Sequence, residues 1–91
     1  MPERLDTVRF LVGDQELEVA WDLAVEIRER CHCADDAAAR DVAARMHAVA
    51  ATRPVALSRG QLAALLVVLD QWDIEAETGR RLRLALVDEL E

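Results

Sequence analysis

Eight consecutive apolar residues, Leu62-Ala63-Ala64-Leu65-Leu66-Val67-Val68-Leu69, stand without a polar interruption in a chain that is otherwise rich in charge. They follow Ser58-Arg59-Gly60-Gln61, the S-x-x-Q pattern of a capping box, so the segment predicts a helix over 59–72. An amphipathic surface helix keeps a polar side, and this one has none for two turns. The run therefore predicts a helix buried nearly all round, and every other element has to supply surface to cover it.

What is available to cover it is limited. The chain has 91 residues, read as one small domain over 1–91. A chain of this length buries only slightly more than about 60% of the surface its unfolded form exposes, so a second subunit adds worthwhile stability. Hydrophobic residues make up 53% of the chain, but the aromatics are only Phe10, Trp21 and Trp72, so the core has to come from Leu, Val and Ala.

The N-terminal third predicts a β-hairpin. Thr7–Val12 and Glu16–Val19 are short β-like runs on either side of Gly13-Asp14, which fits a two-residue type II′ turn with glycine where φ must be positive. That turn sets Phe10 opposite Leu17, Val8 opposite Val19 and Val12 opposite Gln15, with Arg9 and Glu18 facing each other on the outer side. A slip of one residue would turn the apolar set outward.

Helical spacing of Leu23, Ala24, Ile27 and Cys31 predicts a helix over 22–32, with Asp22 as its N-cap and Glu26 placed four residues before Arg30. A second helix over 36–51, capped by Asp35 or Asp36, would turn Ala39, Val42, Met46, Val49 and Ala50 inward. Asp36 with Arg40 and Asp41 with Arg45 are spaced for ion pairs on its outer face. Arg53-Pro54 stops it. Val55-Ala56-Leu57 is short for a strand, yet long enough to extend along the hairpin edge as a third one at 55–57. The final helix starts near Asp73 or Thr78 and carries Leu82, Ala85, Leu86 and Leu90 on one stripe. Its acidic close, Asp88-Glu89-Leu90-Glu91, opposes the helix dipole and predicts fraying. The expected fold class is α+β: an N-terminal hairpin, about four helices and a short third strand, in the order ββααβαα.

Charge and motifs exclude more functions than they suggest. A net charge of −7 argues against a nucleic-acid surface and against an anionic membrane. No stretch of about 18 apolar residues spans a bilayer, and the first residues lead into a strand pattern and not a signal peptide, so the expected location is the cytoplasm. There is no phosphate loop, G-x-S-x-G or H-E-x-x-H, and the single serine, Ser58, is better read as a helix cap, so no catalytic residue is assigned and the chain is read as no enzyme. Cys31-His32-Cys33 with His47 is the one set of soft ligands. C-x-C with one distant histidine is a poor tetrahedral set, so Cys31, Cys33 and His47 are metal candidates against an expectation of no metal and no cofactor. Arg80, Arg81 and Arg83 form the dense basic patch, read as balancing the neighbouring acids Glu75 and Glu77.

The sequence thus predicts a non-catalytic protein–protein interaction or self-association module. Leu84 and Val87 are left over once the stripe of the last helix is buried, and Trp72 ends the apolar helix, so these three are the interface candidates for a homodimer or another protein partner. The alternatives are an acidic regulator of antitoxin or inhibitor type that binds a basic partner, and a small metal-dependent regulator.

Overall fold

The computed structural model describes residues 7–48 and 53–91. Strands β1 (Thr7–Val12) and β2 (Gln15–Ala20) form the hairpin in the expected register, with Phe10 opposite Leu17, Val8 opposite Val19 and Arg9 opposite Glu18. Gly13 has φ of 60°, and no non-glycine residue among those described has a positive φ, so the turn needs its glycine at the first central position only. Phe10, Val12 and Val19 are buried on one face. On the other face the Arg9 guanidinium reaches diagonally to the Glu16 carboxylate at 3.0 Å, beside the Glu18 it stands opposite.

The third strand is real but shorter than its predicted span. β3 (Val55–Ala56) pairs with β1 and leaves Leu57 outside, in a sheet of order β2-β1-β3. It runs parallel to β1, with Phe10 beside Val55. A parallel partner requires a crossover of a dozen or more residues, and the two helices between β2 and β3 provide it.

Helix α1 (Trp21–His32) follows β2 directly and buries the predicted Leu23, Ala24, Ile27 and Cys31. Asp22 is not its cap. Ala20 holds that position without a side-chain bond, and Asp22 lies within the first turn, where its charge is favoured at the positive end of the helix. The Ala20 amide donates to Thr78 Oγ1 at 3.3 Å, which ties the β2–α1 junction to the start of the last helix. The expected Glu26–Arg30 pair closes at 3.2 Å.

Asp36 caps α2 (Ala37–Ala48), its Oδ1 accepting from the Ala38 amide at 2.9 Å. The predicted Asp36–Arg40 pair does not form; Arg40 donates instead to the Ala34 carbonyl at 2.8 Å. Asp41 and Arg45 are exposed and do not pair with each other. Ala39, Val42 and Ala43 are buried and Met46 is half-buried. The predicted last turn, with Val49 and Ala50, lies outside the described residues.

Helix α3 (Arg59–Asp70) begins with the complete capping box: Ser58 Oγ accepts from the Gln61 amide at 3.2 Å, and Gln61 Oε1 accepts from the Ser58 amide at 2.8 Å. Its apolar run is not buried all round. Leu62, Ala64, Leu65, Val68 and Leu69 are buried and Leu66 is half-buried, while Ala63 and Val67 face outward.

Helix α4 (Glu77–Leu90) starts between the two predicted points and lies along the hairpin, from Thr78 beside Ala20 to Glu89 beside Gly13. Leu82 and Leu86 are fully buried, and Ala85 and Leu90 pack against the same core. The acidic C-terminus has a compensating charge that fraying arguments do not include. Arg59, at the start of α3, donates to the Glu89 and Leu90 carbonyls at 3.3 and 3.1 Å. A guanidinium there satisfies orphan carbonyls and opposes the negative end of the dipole. One continuous core of buried side chains thus joins one face of the sheet to all four helices.

Candidate functional site

The antiparallel pairing of α3 with α4 creates the apolar surface with the most exposed aliphatic side chains. Arg59 holds the end of α4 against the start of α3, and at the far end the Arg83 guanidinium bridges to the Asp70 carboxylate at 2.5 Å. This second bridge crosses the seam between the helices. Val67 lies three residues before Asp70 and is 53% exposed, and Leu84 lies next to Arg83 and is 64% exposed. Leu84 borders the same groove as Asp70 and Arg83, while Val67, one turn before Asp70, borders a groove that also includes Ala34 and Ala39; half-buried Leu66 and Val87 lie within a turn of them on the same pair of helices. A leucine and a valine left this open have no covering element among the described residues.

Trp72 stands at the end of the seam, half-buried and packed against the core. The Arg30 guanidinium lies 4.1 Å above its ring centroid, in cation–π contact. Trp72 therefore presents only part of its ring, and of the predicted trio Leu84 is the outward member while Val87, like Trp72, is half-buried. The basic patch is spoken for: Arg81 pairs with Glu77 at 2.7 Å, Arg83 with Asp70, and Arg80 donates to the Ile74 carbonyl at 3.5 Å. Asp70 and the Ile74 carbonyl are partners that the linear spacing did not single out, while Glu77 was anticipated.

The metal candidates are not brought together. Cys31 is buried in the core, Cys33 is exposed in the α1–α2 turn, and His47 Nδ1 lies 3.4 Å from Arg28 Nη1, where the guanidinium charge opposes a metal cation. Among the described residues no three His, Cys, Asp or Glu side chains are placed to share an ion.

Burial pushes the Cys31 thiol from its usual 9.0 up to about 11, because the thiolate loses its hydration in the core. The folded chain therefore holds this proton more tightly than the unfolded chain does. Stability from the neutral thiol is complete below pH 9 and is lost as pH rises towards about 11. Alkylation with a thiol reagent at pH 8 is expected to modify Cys33 quickly and Cys31 only through unfolding. Equal rates for the two would show that Cys31 is not enclosed.

No helix among the described residues is long and apolar enough to cross a membrane. No family model, curated protein or solved structure matches the chain.

Proposed function

We propose that this chain is a non-catalytic self-association module, a cytoplasmic homodimer closed through α3 and α4. The observation that carries this reading is the pair of outward aliphatic side chains, Val67 on α3 and Leu84 on α4, the two helices joined by the Asp70–Arg83 bridge. A two-fold axis over the seam would lay the same patch on itself, so that each Leu84 is covered by the partner's α3 or α4. The charged bridge then sits at the centre with both charges already paired, which avoids burying an uncompensated ion.

Sedimentation equilibrium at micromolar concentration tests the proposal. The wild-type chain is expected at twice its 10.2 kDa mass, and Leu84→Glu is expected at the monomer mass with its thermal stability nearly unchanged, because position 84 is exposed in the subunit. A wild-type monomer under these conditions, or a Leu84→Glu variant that still dimerises, overturns it.

A further inference from the structure

The sheet has two edges, and they differ in what they offer another strand. β3 has two residues and follows Pro54, which lacks an amide hydrogen, so it has little to pair with. β2 is six residues long and pairs only with β1. Opposed residues of an antiparallel hairpin alternate between bonded and non-bonded pairs, and the Val12–Gln15 pair that closes the two-residue turn is a bonded one, as are Phe10–Leu17 and Val8–Val19. The N–H and C=O groups of Glu16 and Glu18 therefore point away from β1, off the edge of the sheet. Nothing among the described residues bonds to them. The Ala20 amide, next in the same row, is turned the same way and is taken by Thr78 Oγ1. Residues 15–19 are thus the open stretch, with four backbone groups in line.

That stretch is acidic. Glu16 and Glu18 are exposed on the outer face, Asp14 is exposed in the turn, and the Glu89 carboxylate at the end of α4 lies against Gly13. Arg9 pairs with Glu16, but Asp14, Glu18 and Glu89 have no ion-pair partner among the described residues. We propose that the β2 edge takes up an extended basic segment of another protein as a fourth strand, its backbone bonded to Glu16 and Glu18 and its arginine or lysine side chains beside their carboxylates. In strand addition the main-chain bonds give affinity and the alternate side chains give selectivity. Charge decides the occupant. Pairing β2 with β2 of a second copy would set glutamates beside glutamates, and like charges directly opposite are destabilising, so the carboxylates that keep identical edges apart favour a strand of opposite sign. The net charge of −7 steers such a segment towards the chain. The edge belongs to neither α3 nor α4, so this surface does not depend on the proposed dimer.

Amide exchange and chemical shifts of the 15N-labelled full chain test the proposal, with the acetylated and amidated pentapeptide Arg-Val-Arg-Val-Arg as the probe. In the chain alone the Glu16 and Glu18 amides are expected to exchange quickly and those of Leu17 and Val19 slowly. The peptide is expected to shift the Glu16 and Glu18 amides saturably and, near saturation, to slow their exchange by at least about tenfold. Glu18→Arg, at an exposed position, is expected to weaken binding by about tenfold, because an attractive cross-strand pair becomes a repulsive one. The same peptide N-methylated at every backbone amide keeps its charge and loses its donors, and is expected to bind at least about tenfold more weakly. Equal binding of the methylated peptide would show diffuse attraction between charges and overturn the proposal. So would the lack of any saturable shift at millimolar peptide. Slow exchange of the Glu16 and Glu18 amides that deepens with the concentration of the chain alone would assign the edge to a second copy, and would overturn it as well.

Discussion

Phe10→Ala is expected to destabilise the chain by about 3–5 kcal/mol, enough to leave a domain of this size largely unfolded at 37 °C. Phe10 is fully buried and sits on β1, the central strand, with Leu17 on one side and Val55 on the other. It is the one ring among the fully buried side chains described, the rest being aliphatic apart from the Cys31 thiol. The removed side chain loses its transfer free energy and the cavity adds a further cost, because strands on both sides hold the backbone in place. Thermal unfolding followed by far-UV circular dichroism measures the effect, with an expected drop in Tm of at least about 15 °C. A drop of only a few degrees would mean that β3 does not close the sheet over this residue.

Gly79→Val is expected to be nearly as harmful, at about 3 kcal/mol, although helix propensity alone favours valine over glycine at an interior helical position. The reason is contact. A Cβ at position 79 would lie 2.5 Å from Ile74 Cγ2 and 2.8 Å from Leu23 Cδ2. Leu23 could rotate its terminal methyl, but Ile74 is β-branched and stiff at χ1, and it sits in the short connection that sets the angle between α3 and α4. Two further methyl groups have no room, so α4 must lift away from α1. Denaturant titration is the measurement. A midpoint equal to or above that of the wild-type chain would show that propensity outweighs packing here.

Gly79 also shows where sequence reasoning stops. Its position in the final helix suggests an uncertain start, and only the approach of Leu23 and Ile74 explains why a residue without Cβ is needed. The hairpin is legible because two independent signals agree on it: Gly13 selects the turn, and Phe10, Leu17, Val8 and Val19 select the same register. The capping box at Ser58 and the buried stripe of α1 are legible for the same reason, being local patterns with local consequences. The direction of β3 is not legible, since two residues carry no alternation and parallel pairing depends on where the crossover returns. Nor is the cap on α4, because Arg59 reaches Leu90 from 31 residues away. The apolar run of α3 misleads in an instructive way. Eight apolar residues cannot distinguish a helix enclosed on every side from one whose outer edge, Ala63 and Val67, keeps aliphatic side chains for another surface.

That outer edge is half of the proposed dimer seam. Leu84 and Val87 were recognisable as surplus apolar surface on the last helix, whereas Val67 was hidden inside a run read as core. The groove between α1 and α2 is not legible for a different reason: His32 and His47 are 15 residues apart, and only the packing of α1 on α2 brings them to one groove with Arg28 and Arg40.

The central claim, that two copies of this chain meet across the α3–α4 seam, is tested most directly by isotope-filtered nuclear Overhauser measurements on an equal mixture of 13C-labelled and unlabelled protein. Such an experiment detects only contacts between chains. The expected result is a set of intermolecular contacts among the methyl groups of Val67, Leu84 and Val87, and none from Trp21, the other large apolar side chain left exposed among the described residues, which stands at the start of α1. Intermolecular contacts centred on Trp21, or none at all at millimolar concentration, would contradict it.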